Sequence, residues 1–101
     1  MHLPADIHWT PLAEAEAREI HRYIAVDSVA AANRQLDLVL ESIQGLSMLP
    51  GKGRTGRVHD TRELVVPATP YIVVYRLKLT GIQILSILHG ARRWPSRFSE
   101  E

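Results

Sequence analysis

The chain reads as a single α+β domain in the order β-α-α-β-β-β: an N-terminal strand, an αα-hairpin, then a three-stranded antiparallel meander. Three observations predict it. Two apolar stripes at helical spacing fill residues 11–49, β-formers dominate after residue 60, and Pro50-Gly51 separates the two regimes. At 101 residues one core is expected, spanning residues 1–101, with 98–101 as a frayed tail.

Ile7-His8-Trp9 is the first strand, and Thr10-Pro11 is an N-cap followed by proline at the first helical position. From Pro11, Ala13, Ala17, Ile20 and Ile24 form an apolar stripe. A turn near Ala25 to Ser28 leads to Val29, Ala32, Leu36, Val39, Ile43 and Leu46, which predict a second helix running to about Leu49. Pro50 to Gly56 reads as a flexible Gly-rich loop. Thr61 to Val66, Tyr71 to Leu77 and Ile82 to Leu88 are the three later strands, with Thr80-Gly81 in a tight turn.

In the last strand Ile82, Ile84 and Leu88 should lie on one side and Leu85 and Ile87 on the other, so it should be central and covered on both faces. Two helices cover only one face. The other must be closed by sheet curvature, by the chain's own tail or by another polypeptide.

Composition excludes several chemistries. There is no cysteine, so disulfides, thiolate metal sites and cysteine nucleophiles are out. The five histidines fall at 2, 8, 21, 59 and 89 without metal-ligand spacing, and Ser86 and Ser96 lack a nucleophile-elbow setting. No metal or cofactor is expected. The N-terminus lacks signal-peptide character and no apolar run approaches membrane-spanning length, which predicts a soluble cytoplasmic protein.

The net charge of +1 conceals a division at Pro50. Residues 1–50 carry three basic against seven acidic side chains, a net of −4, and residues 51–101 carry nine against four, a net of +5. Arginine outnumbers lysine seven to two in that second half, which suits bidentate contacts to phosphate or carboxylate. The basic half is therefore expected to meet nucleic acid or an acidic partner. Gly51-Lys52-Gly53-Arg54-Thr55-Gly56 spells G-x-G-x-x-G, but it follows a helix and precedes a strand, the reverse of the dinucleotide-binding context. What it offers instead is Lys52, Arg54 and Arg57 as mobile cations.

The last strand empties into His89-Gly90-Ala91-Arg92-Arg93-Trp94-Pro95. Lys52, Arg54, Arg57, Arg92, Arg93 and Trp94 are the candidate target-binding residues. Metal-free RNA cleavage needs a base, cationic donors on the phosphorane and an acid for the leaving oxygen. For that chemistry His89, Arg62, Arg76 and Arg92 are the candidates, although Arg62 and Arg76 have Glu63 and Asp60 nearby as structural partners.

Arg62-Glu63-Leu64-Val65-Val66, Pro70-Tyr71-Ile72-Val73-Val74-Tyr75-Arg76 and Ile87-Leu88-His89-Gly90-Ala91-Arg92-Arg93-Trp94-Pro95, in this element order, resemble the RelE/ParE superfamily of toxins from type II toxin-antitoxin modules, which includes the plasmid stabilisation proteins. The resemblance covers about residues 6–95 and implies a toxin neutralised by a cognate antitoxin. ParE-like members inhibit DNA gyrase without chemistry of their own; RelE-like members are endoribonucleases that cut mRNA on the ribosome. In a RelE-like member the residues carried over by position would be Arg62, Arg76, His89 and Arg92. Arg93-Trp94-Pro95 stands where cleaving members have a Tyr or His pair, so the ParE-like function is the leading expectation and the RelE-like one the alternative.

Overall fold

The computed structural model describes residues 4–98. Strand β1 (Ile7–Trp9) leads to helices α1 (Pro11–Ala25) and α2 (Val29–Gly45), followed by β2 (Arg54–Thr55), β3 (Arg62–Val65), β4 (Tyr71–Lys78) and β5 (Gly81–His89). They form one sheet in the order β1-β5-β4-β3-β2. β1 runs parallel to β5, with Ile7 opposite Ile82 and Trp9 opposite Ile84; the other pairs are antiparallel. The α+β class and the central last strand agree with the sequence reading.

Both helices start as their caps dictate. The Thr10 hydroxyl accepts from Ala13 N–H at 3.2 Å and the Ser28 hydroxyl from Ala31 N–H at 3.0 Å. The stripes then lay Ala13, Val39, Ile43 and Leu46 on Leu64, Val66, Tyr71, Val73, Tyr75, Ile82, Ile84 and Ile87 to form the main core. α2 ends at Gly45, four residues before the expected Leu49, because Leu46 to Ser47 turn back to let Ser47 C=O accept from Ala5 N–H. Leu46 remains buried, so the apolar stripe continues past the end of the helix.

Three local expectations are corrected. The Gly-rich loop contains β2, a two-residue strand that pairs Arg54 with Glu63 and Thr55 with Arg62. The β4–β5 turn is Leu79-Thr80; Gly81 already pairs with Lys78, with φ of 136°, and a Cβ there would lie 2.5 Å from Asp6 O. The faces of β5 also differ, because a bulge intervenes: Val74 pairs with Ser86 but Tyr75 with Ile84. The extra residue, Leu85, inverts the alternation beyond it. Ile87 therefore joins Ile82 and Ile84 under the helices, while Leu88 joins Leu85 on the far face.

That far face is closed by the chain itself. Val58, Val74, Leu85 and Phe98 form a second cluster, flanked by Leu88 and Trp94. Phe98, the first residue of the expected frayed tail, is 9% exposed; residues 99–101 lie outside the described residues.

Candidate functional site

Strand parity sorts the charged side chains onto two faces. Glu63 pairs with Val74 and with Arg54, so all three point away from the helices. Glu63 is 3% exposed, and a buried carboxylate requires partners. Its Oε1 accepts from Arg54 Nε and Nη2 at 3.2 and 3.0 Å, and its Oε2 from the backbone N–H and Nε of Arg57 at 2.8 and 3.2 Å. Burial alone would raise its pKa; the hydrogen bonds from Arg57 and Arg54 hold it below the ordinary glutamate value. The Arg57 guanidinium carbon lies 3.5 Å from the centroid of a Trp94 ring, and Trp94 Nε1 donates to His89 O at 3.3 Å. Arg54, Arg57 and Trp94 are thus brought together, the two arginines by Glu63, which the sequence offered only as a partner for Arg62 or Arg76, and Trp94 by Arg57.

The loop carrying these cations is tied to the sheet by hydrogen bonds. Tyr75 is fully buried; its hydroxyl accepts from Gly53 N–H and donates to Pro50 O, both at 2.8 Å. Burial raises the Tyr75 pKa, opposed by the Gly53 hydrogen bond and by Arg62. Arg62 Nη1 donates to Gly53 O at 2.9 Å and Gly51 O at 3.3 Å, so Arg62 clamps the loop and pairs with neither Glu63 nor Asp60. A Cβ on Gly53 would fall 2.6 Å from the Tyr75 hydroxyl, so only glycine admits this approach.

Arg76 is opposite Gln83 on the far face, with Nε 3.5 Å from Asp60 Oδ2. Asp60 is thus its structural partner, one of the two acids the sequence offered.

At the other end of the sheet, a cleft of about 250 Å³ opens between α1 and the ends of β4 and β5, with Glu16, Tyr23, Tyr71, His89 and Arg92 in its lining. Among the described residues no strand lies beside the outer edge of β5 beyond Trp9, and α1 takes over. Thr10 Oγ1 donates to the carbonyls of Ile84 and Leu85 at 2.9 and 3.2 Å, and Glu16 Oε1 accepts from Ser86 Oγ at 2.6 Å and Ile87 N–H at 3.0 Å. Burial raises the Glu16 pKa, partly offset by those two bonds. His89 stands edge-on to Tyr71, with ring centroids 5.9 Å apart, and its Nδ1 accepts from Ala91 N–H at 3.1 Å. That places the proton of the neutral ring on Nε2. Tyr71 is raised by burial, with Arg92 opposing and Tyr23 reinforcing the shift.

The four residues considered for phosphodiester chemistry therefore do not converge. His89 and Arg92 line one cleft. Arg62 is in register with Tyr75 and His89 with Tyr71, four residues along β4 or about 13 Å apart, and Arg76 is on the opposite face. Lys52 and Arg93 are exposed. Sequence reasoning missed Glu16, Tyr71 and Tyr23. Glu16 had a signal: it sits three residues after Ala13 and four before Ile20, on the buried stripe.

Among the described residues no group of three or more His, Asp or Glu side chains is placed to hold a metal ion, and no helix is long and apolar enough to cross a membrane.

Residues 7–94 match the family model described as the ParE toxin of the type II toxin-antitoxin system parDE. A Sinorhizobium fredii protein named "Putative toxin Y4kP" is 37% identical over 89 residues, covering 88% of this chain and 92% of that protein. Among solved structures, a chain of the chromosomal ParDE TA system from P. aeruginosa superposes with a TM-score of 0.74 at 27% identity, over 82% of this chain and 92% of that one.

Proposed function

Because the chain belongs to the ParE family of type II toxin-antitoxin toxins, we propose that it binds DNA gyrase in the cytoplasm, arrests its covalent DNA intermediate, and is neutralised by a cognate antitoxin. The observation that carries this reading is the scatter of the cleavage candidates. General acid-base chemistry needs its groups within hydrogen-bond reach of one phosphate. Here Arg62 clamps a loop, Arg76 faces Asp60 on the far side, and only His89 and Arg92 share a cleft. A surface that binds does not need them to converge.

The antitoxin is assigned to that cleft. Its lining is mixed in character, Tyr23 is 69% exposed beside it, and the outer edge of β5 reaches it without a strand partner.

Purified gyrase with supercoiled plasmid tests the reading: linear DNA accumulates on adding the protein, and Arg92→Ala with Arg93→Ala abolishes both this and toxicity. Undiminished gyrase inhibition by that double variant would reduce the basic tail to solvated surface. The Nε2–H tautomer of His89 beside Arg92 favours one second reading, a ribosome-dependent endoribonuclease. Primer extension on translating ribosomes tests it: cut codons that vanish in His89→Ala would establish it.

A further inference from the structure

The Arg54–Glu63–Arg57 cluster contains more cation than its buried carboxylate requires. One guanidinium neutralises one carboxylate; here two are fixed, each to a different oxygen, leaving the cluster with a net positive charge. The two arginine side chains are nevertheless 56% and 48% exposed. Glu63 engages Arg57 through its Nε and main-chain N–H, so both Nη groups lie outside that contact, and Trp94 holds the guanidinium plane. An arginine kept only for solubility needs no such orientation, because fixing its side chain costs about 2 kcal/mol of rotamer entropy. An arginine already fixed loses less on binding.

The surroundings specify the ligand's charge and extent. The helices, which carry a net of −2, cover the opposite face of the sheet. The tail bearing Arg93 and Arg97 crosses the same face as the cluster, anchored by Trp94 and Phe98. Arg54, Arg57, Arg93 and Arg97 thus gather on the face away from the helices, and a polyanion is steered to it. Rigid, closely spaced guanidinium groups match the regular phosphates of a duplex; a pliable acidic peptide gains little from rigid spacing. Arg54 is on a two-residue strand and Arg57 in the turn after it, with no helix to enter a groove, so the contacts are to backbone phosphate and do not depend on base sequence.

We propose that Arg54 and Arg57, preset on the two oxygens of Glu63, form a seat for adjacent phosphates of duplex DNA. The seat deepens the gyrase reading, since it would let the toxin touch the DNA that gyrase holds, yet it is testable without gyrase. The probe is a fluorescent duplex of mixed sequence titrated with the full chain over a salt series. Removing both arginines alone would strand a buried carboxylate, so the variant is Arg54→Gln/Arg57→Gln/Glu63→Gln. Arg18→Gln, on the helical layer, makes the same net change of one charge.

The wild type and Arg18→Gln should bind alike. The triple variant, with an unchanged thermal midpoint, should bind about 10-fold more weakly with a salt slope shallower by about 2. Equal DNA affinity of the triple variant and wild type overturns the seat. So does a preference of the wild type for an acidic peptide over the duplex. Gyrase assayed in parallel separates the two ideas: a wild type that binds DNA but leaves gyrase untouched refutes the gyrase reading alone, and full gyrase inhibition by a triple variant that has lost DNA refutes the seat's part in arrest alone.

Discussion

Glu16 and Glu63 are carboxyls that the fold moves in opposite directions, and the two make opposite contributions to stability as pH changes. Glu63 is held below its ordinary value, so its contribution is present above the usual glutamate range and is lost as pH falls through its folded pKa. Glu16 is raised, so the folded state binds its proton more tightly and stability declines as pH rises through the window between its ordinary and folded values. Glu16→Gln keeps the acceptor for Ser86 and Ile87 without a charge to desolvate; its thermal midpoint should exceed the wild type's at pH 7, with the gap closing toward pH 4. A midpoint below the wild type at pH 7 would show that the charge itself is needed. Tyr75→Phe removes the hydroxyl between Gly53 N–H and Pro50 O and should cost about 1–3 kcal/mol in urea denaturation, the penalty of leaving those groups unsatisfied. Single residues were the least legible level of the sequence. Glu63 looks like one more strand charge because its partners lie six and nine residues upstream, beyond a turn that composition does not specify. Arg62 and Arg76 advertise charge, and nothing local reveals that one clamps backbone carbonyls while the other faces Asp60.

Elements were far more legible, since each is written in local periodicity. The cap at Thr10 and both helical stripes identify α1 and α2, and the three long strands fall within one residue of the expected limits. The errors have physical sources. α2 was extended because Leu46 continues the stripe although the backbone has already turned, and β2 was missed because two paired residues leave no period. Thr10 joins levels here: it caps α1 and its hydroxyl also bonds the Ile84 and Leu85 carbonyls at the bulge. Thr10→Ala should therefore exceed an ordinary cap loss of about 1 kcal/mol and reach about 2–3 kcal/mol. Thr10→Ser, which keeps every bond, should recover most of it in the same chemical denaturation series. A loss of only about 1 kcal/mol for Thr10→Ala would mean the bulge carbonyls are served otherwise.

Across the whole molecule, the sequence announced the charge division but not where the two halves would lie. The hairpin packs on one face and the second half of the chain closes the other, where Arg54, Arg57, Arg93 and Arg97 gather. The sequence left three ways to close the second face; tail and loop residues do it, because Phe98, Trp94 and Val58 supply the missing apolar area. Phe98→Ala should cost about 2 kcal/mol, less than a central core truncation, and should increase hydrogen exchange across residues 90–98 while leaving α1 and α2 protected. Unchanged exchange there would mean that Trp94 alone holds the tail.

The single extra residue at Leu85 also governs which layer owns His89. Counting from Ile84, an odd step separates the half-strand that meets β1 from the half-strand that ends in the histidine. A one-codon deletion at Leu85 would restore even counting and leave His89 on its present side, whereas the intact strand drawn into an unbulged ladder would swing every later side chain to the reverse side and turn Leu88 inward. The bulge thus acts as a parity bit for the end of β5: it assigns the imidazole to the helical layer and Leu88 to the opposite one.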